Sequence, residues 1–194
     1  MSQLPIEPKK IKARIARYER EMRKEYETYH FIDDGSGKRY LLGPLYLLLG
    51  DTAGAIKTFA WFDRMFPDDC GEPAHTLCWA LALQRTGDLS GAAHKLRQAM
   101  LSNLYLLPML LGQKQPCLNI WHGSSDAEKE YLQDIPAEIW NLWDAGALQW
   151  AQAQYESPAF GQVRARYIEI HAQLRNEPVG PRRSQLVAEA SALR

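Results

Sequence analysis

The chain has 194 residues, of which 46% are hydrophobic and 24% are charged, and its formal net charge is zero. This composition is typical of one globular domain with its own core, and the zero net charge argues against nucleic acid as the partner. The chain has three cysteines without paired spacing, and its first stretch lacks the apolar core of a signal peptide. Both features predict a cytoplasmic protein. No apolar run is long enough for a membrane span.

A long helix is predicted from Lys9 onward. Its apolar residues recur at intervals of three or four and therefore share one face. They are Ile11, Ile15, Tyr18, Met22, Tyr26 and Tyr29. The opposite face mixes lysines and arginines with glutamates, which indicates a solvated surface. Two alternatives stay open: the basic face could bind nucleic acid or an acidic surface, and the apolar face could pair two copies of the chain as a homodimer.

After a turn at Asp33-Asp34-Gly35-Ser36-Gly37, residues 40–112 contain the same phrase twice. An apolar run ends in Gly50-Asp51 and again in Gly87-Asp88, and an alanine-bearing helical pattern follows each time. The two glycines lie 37 positions apart (87 minus 50), close to the about 34 residues of a tetratricopeptide unit. We therefore predict two helix-turn-helix units.

Small residues should let the two helices of each unit approach closely. They are Gly43 and Ala55 in the first unit and Ala80 and Ala92 in the second. Because about three such units are normally needed to bury their faces, the flanking segments must cover this pair. A capping-box pattern at Ser125 and Glu128 predicts a further helix, a Trp-rich apolar face follows, and Ser157-Pro158 opens another helix.

The predicted fold is all-α: a compact helical domain built around two tetratricopeptide-like helix-turn-helix units, with capping helices at both ends. A single domain is expected over residues 1–177. It comprises an N-terminal helix and loop (1–39), the repeat pair (40–112) and C-terminal capping helices (113–177). Residues 178–194 are predicted to form a tail that ends in a loosely docked helix at most.

Three phrases in the second half carry a family resemblance. NLYLLPMLLG (residues 103–112), GSSDAEKEYL and LWDAGALQW (residues 142–150) resemble the end of suppressor-of-tumorigenicity-seven-like proteins and their small bacterial relatives. The likeness covers about two thirds of the chain and departs where Asp144-Ala145 stand for the more usual Thr-Pro. It implies an all-helical, repeat-like interaction protein, and it carries over no catalytic residue.

No motif predicts a catalytic, cofactor or metal site. Cys70, His75 and Cys78 invite a zinc interpretation, but a fourth ligand at a recognised spacing is missing. His122 lies beside Ser124 and Ser125 without the strand-turn-helix setting of a nucleophilic serine. We therefore predict a protein that is not an enzyme and needs no cofactor, while an enzyme with an unrecognised site stays an alternative.

Helical repeats form grooves that bind peptides or protein edges, so a protein partner is expected. Polar and aromatic positions on the first helix of each unit, together with the acidic connection between the units, are the predicted contacts. They are Arg39, Tyr46, Asp68, Asp69, His75 and Trp79. The most specific expectation is an immunity or adaptor protein that binds and sequesters a toxin or effector.

Overall fold

The computed structural model describes residues 3–194. Within this range the chain forms ten α-helices, two short 3-10 helices and no strand, so the predicted all-α fold is confirmed. The α-helices are α1 (Pro8–Tyr29), α2 (Lys38–Leu48), α3 (Thr52–Met65), α4 (Pro73–Thr86), α5 (Leu89–Ser102), α6 (Leu106–Leu110), α7 (Ala137–Trp140), α8 (Ala145–Tyr155), α9 (Pro158–Leu174) and α10 (Pro181–Ala192). No helix of this part of the chain is long and apolar enough to cross a membrane.

Helix α1 packs on α2 through only part of its apolar face. Ile11, Ile15 and Met22 are buried, whereas Tyr26 and Tyr29 are 44% and 62% exposed. The helix ends at Tyr29, and the following residue, His30, adopts a left-handed conformation and donates its N–H to the carbonyl of Tyr26. The predicted apolar stripe therefore continues beyond the surface that covers it.

The duplicated Gly-Asp phrase forms the same turn in both helix pairs, α2–α3 and α4–α5. Gly50 and Gly87 have φ of 75° and 86°, a backbone region that glycine enters without a Cβ clash. Each following aspartate caps the next helix: Oδ1 of Asp51 accepts the N–H of Gly54 at 2.8 Å, and Oδ1 of Asp88 accepts that of Gly91 at 2.9 Å. The two predicted helix-turn-helix units thus begin their second helices identically.

Close packing of α2 on α3 depends on Gly43. A Cβ at this position would lie 2.3 Å from Cε1 of Phe59, so only glycine fits without a shift of that ring. Phe59 is fully buried, and its ring stacks on Trp79 of α4 with centroids 5.3 Å apart. One aromatic ring therefore joins the two repeat units.

The helix predicted at Ser125 is not formed. Residues Ser125–Ala127 and Lys129–Gln133 are 3-10 helices, separated by an extended Glu128 with ψ of 156°. The cause is a long-range contact: the buried amide of Asn103 donates to the carbonyls of Asp126 and Glu128 at 2.7 and 2.9 Å. Those carbonyls are thereby satisfied by a side chain rather than by a continuing helix.

The C-terminal helices cover the far end of the repeat pair, where α9 packs on α5. Helix α10, which lies in the predicted tail, packs on α9 and buries Leu186 completely. Arg166 and Glu189 join the two helices through a pair of hydrogen bonds of 2.6 and 2.8 Å. The tail is therefore an integral part of the packed structure.

A reciprocal clasp joins the loop after α6 to α9. The backbone N–H of Trp121 donates to the carbonyl of His171 at 3.0 Å, and Nδ1 of His171 donates to the carbonyl of Trp121 at 2.7 Å. The two rings also stack, with centroids 5.8 Å apart. This clasp holds a long loop against the last large helix.

Candidate partner-binding groove

A groove of about 530 Å³ lies over α2, between α1 and α3. Its α1 wall consists of residues spaced by three and four, which therefore share one helix face, and the same holds for its α3 wall. The α1 wall is Glu19, Met22, Arg23 and Tyr26; the α3 wall is Gly54, Lys57, Thr58, Trp61 and Met65; the floor is Leu42 and Tyr46, and Ile32 completes the lining. This volume falls in the usual range of ligand-binding clefts.

Tyr46 ties the floor to one wall. Its hydroxyl donates to Oε1 of Glu19 at 2.7 Å. Burial, followed by this bond to a carboxylate, raises the pKa of Tyr46 to about 12. The phenol therefore stays protonated at physiological pH and holds Glu19 against the floor.

An exposed aromatic patch continues from the groove at the end of α1. It consists of Tyr26, Tyr29 and Phe31, which are 44%, 62% and 59% exposed, and the rings of Tyr29 and Phe31 lie 6.0 Å apart. Tyr26 also lines the groove, and it lies three residues before Tyr29 on the same face of α1. Single exposed apolar side chains are ordinary, but a contiguous aromatic cluster beside a cleft is typical of an interaction surface.

Two of the predicted contacts, Arg39 and Asp69, are bonded to each other instead of facing an opening. Nε of Arg39 donates to Oδ2 of Asp69 at 2.9 Å, and the hydroxyl of Tyr40 donates to the same oxygen at 2.7 Å. Burial raises the pKa of Tyr40 to about 12, and the bond to Asp69 adds to that rise. Burial opposes ionisation of Asp69, but the bonds from Tyr40 and from the Gly71 N–H, with the Arg39 charge, hold its pKa below the usual value. This network fixes the connection between the repeat units to the start of α2.

His75 lies beneath that network and is only 2% exposed. Its Nδ1 faces the carbonyl of Tyr40 at 3.1 Å, and since a carbonyl only accepts, the proton sits on Nδ1. Aromatic rings surround the imidazole, the nearest being Phe62 with centroids 4.5 Å apart. Burial lowers the pKa of His75 to about 4. His75 thus belongs to the core and offers no surface to a partner.

Trp79 is partly buried, and its ring is in contact with two side chains of the molecule. Phe59 stacks on the ring, and Nζ of Lys95 lies 3.7 Å from the ring centroid. Asp68 is exposed in the connection between the units. Of the six predicted contacts, Tyr46 is the one that lines the groove.

The groove residues that sequence reasoning missed lie on α1 and α3. The predicted contacts lie on α2, on α4 and in the connection between the units, whereas the walls come from the helices on either side of α2. A signal existed on α3: the apolar residues Trp61 and Met65 are spaced by four, follow Lys57 on the same face and form a stripe beside the buried Ala55, Phe59 and Phe62. An apolar stripe next to a core stripe indicates a second contact face.

The residues considered for metal or nucleophilic chemistry have other contacts. Within residues 3–194, no three His, Cys, Asp or Glu side chains are grouped so that they could hold a metal ion. Cys70 is exposed, whereas Cys78 is fully buried, and burial raises the pKa of its thiol to about 12. Nε2 of His122 lies 2.9 Å from the hydroxyl of Tyr105. Burial of Cys78 and the contact of His122 with Tyr105 give these two side chains structural roles.

Comparison with protein-family models, with curated proteins and with solved structures finds no match to this chain. The resemblance to suppressor-of-tumorigenicity-seven-like proteins therefore stays a prediction.

Proposed function

We propose that this protein is a non-enzymatic interaction module that binds one partner protein in the groove between α1 and α3. The observation that carries the proposal is the continuity of the groove with the exposed patch of Tyr26, Tyr29 and Phe31. Together they combine a concave apolar surface with aromatic anchors, the residue types that dominate binding energy at protein interfaces.

In its most specific form, the proposal is that the chain acts as an immunity or adaptor protein and sequesters a toxin or effector. A repeat fold without a metal-ligand cluster in its described part suits this role, because such a protein needs only a rigid, complementary surface. The partner is identified as the protein that the tagged chain retains through the groove.

Recovery of a stoichiometric partner from the source organism tests the proposal. The tagged chain should retain a partner that the double variant Tyr26→Ser, Phe31→Ser loses. A matched control is Val187→Ser, Leu89→Ser, because these apolar residues lie on α10 and α5 and are 41% and 53% exposed. The control should retain the partner in full.

Two results contradict the proposal. One is the absence of any stoichiometric partner under conditions in which neighbouring genes are expressed. The other is a partner that both double variants retain equally, because the contact surface would then lie elsewhere on the molecule.

A further inference from the structure

We propose that the occupant of the groove is an acidic amphipathic helix of the partner protein, about three turns long. This inference rests on the proposed function and specifies the chemistry of the segment that the groove receives.

The backbone of the groove favours a helical occupant. Both walls and the floor are α-helices, whose N–H and C=O groups are bonded within their own helix. An extended segment would find no free backbone groups along these walls, so strand addition is not available. A helix satisfies its own backbone and presents only side chains, which suits a lining of side chains.

The dimensions of the groove set the length of that helix. At about 1.5 Å per residue, the α1 wall from Glu19 to Tyr26 extends about 10 Å, and the α3 wall from Gly54 to Met65 extends about 16 Å. With a pitch of about 5.4 Å, a helix of about three turns spans the longer wall. Its apolar side chains would contact Trp61 and Met65, which line the groove and are partly exposed.

The charges of the lining favour an acidic occupant. Arg23 and Lys57 face the groove from opposite walls and are exposed. Neither forms an ion pair with any residue of the described chain. The single carboxylate of the lining, Glu19, already accepts the hydroxyl of Tyr46. Two cations on either side of an apolar floor complement a helix with an apolar stripe flanked by Asp or Glu.

A library of displayed random sixteen-residue peptides, selected on the full chain, tests this inference. Enriched peptides should carry apolar residues at intervals of three and four and more Asp and Glu than the unselected library. Synthetic copies should gain helical circular dichroism on binding, and their affinity should fall as salt is raised.

Charge-reversal variants test the role of the two cations. The double variant Arg23→Glu, Lys57→Glu should weaken binding of the enriched peptides on the order of tenfold or more, because like charges then oppose each other. The matched control Lys12→Glu, Arg64→Glu changes the net charge equally on the same two helices, outside the groove lining. It should change the affinity by less than about threefold.

The outcomes separate this inference from the proposed function. One outcome is that Tyr26→Ser weakens the binding of the enriched peptides, but the peptides show no preference for Asp and Glu. This outcome overturns the inference and leaves the groove as the binding surface. If no enriched peptide depends on Tyr26, the groove does not bind a linear segment and the inference fails, whereas the proposed function is still decided by the recovery of a partner that Tyr26→Ser, Phe31→Ser loses. If the chain self-associates and Tyr26→Ser abolishes this self-association, the groove holds a second copy of the chain. This outcome also overturns the inference.

Discussion

His75 is a buried histidine whose second ring nitrogen, Nε2, has no hydrogen-bond partner among residues 3–194. Nδ1 is satisfied by the carbonyl of Tyr40, and the remaining surroundings are aromatic. A proton on Nε2 would therefore be a buried donor without an acceptor, in addition to a buried charge. The folded state therefore favours the neutral form of His75 over the charged form.

This environment predicts a loss of stability in mild acid. The pKa of folded His75 is about 4, below the ordinary value of 6.5, so between these values the unfolded chain binds a proton that the folded chain does not. The stability that the protein gains from keeping His75 neutral is complete above pH 6.5 and is lost as the pH falls towards 4. Since one pKa unit corresponds to about 1.4 kcal/mol, the free energy of unfolding should fall by roughly 2 kcal/mol between pH 7 and pH 5 from this residue.

Urea unfolding at the two pH values measures this effect. His75→Phe keeps an aromatic ring in the cluster but cannot titrate, so its free energy of unfolding should depend less on pH. Burial also lowers the pKa values of His94 and His171. These two residues therefore add the same pH dependence to the free energy of unfolding of both proteins. An equal pH dependence in the two proteins would show that His75 does not carry the effect.

The contact between α2 and α3 depends on the absence of a side chain at Gly43. Gly43→Ala would place a Cβ 2.4 Å from Cζ of Phe59, a ring held between Gly43 and Trp79. We expect a loss of about 1–3 kcal/mol in the free energy of unfolding, the usual cost of overpacking a core.

Gly161 in α9 provides the matched control for that substitution. A Cβ there meets no atom within 4 Å, and the residue lies inside a helix. Gly161→Ala should therefore leave the protein as stable or slightly more stable, by up to about 1 kcal/mol. The prediction for Gly43 fails if both alanine variants unfold at the same urea concentration.

Sequence reasoning succeeds for elements that depend on neighbouring residues. The turns at Gly50-Asp51 and Gly87-Asp88 are local, because the glycine supplies the positive φ and the aspartate caps the helix that follows it by accepting an N–H three residues on. The helix expected at Ser125 fails for the opposite reason. Its carbonyls bond to Asn103, 23 and 25 residues away, and no local pattern encodes that contact.

The groove also depends on long-range contacts that the sequence pattern does not encode. Which faces of α1 and α3 line a shared cavity depends on how both helices pack on α2, and this is a property of the tertiary structure. The sequence identified Tyr46 and the apolar stripe of α1, including Tyr26, but not the pairing of that stripe with Lys57, Trp61 and Met65. A periodic pattern indicates that a face is apolar without indicating what it meets.

At the scale of the whole molecule, the repeat pair is covered on two sides, by α1 packed on α2 and by α9 packed on α5. Contacts to the later segments also satisfy polar groups of the pair's last turn, such as the side chain of Asn103. Without these covers, large apolar surfaces of α2 and α5 would face water.

We therefore expect the excised segment of residues 38–112 not to fold on its own. Its far-UV circular dichroism should show less helix than these residues have in the intact chain, and its amide NMR signals should be poorly dispersed. The intact protein measured alongside should unfold in one cooperative transition. A sharp, cooperative thermal transition of the excised segment would contradict the prediction, because it would show that two units bury enough surface by themselves.

The clasp between Trp121 and His171 has a consequence for the order of folding. The pairs α2–α3 and α4–α5 join neighbours in sequence across turns of a few residues, so their closure costs little entropy and is fast. The clasp joins residues 50 positions apart, so its closure costs more chain entropy than the closure of either helix pair. It is therefore expected to form after the rate-limiting step, so a weakened clasp should shorten the lifetime of the folded protein while leaving its folding rate almost unchanged.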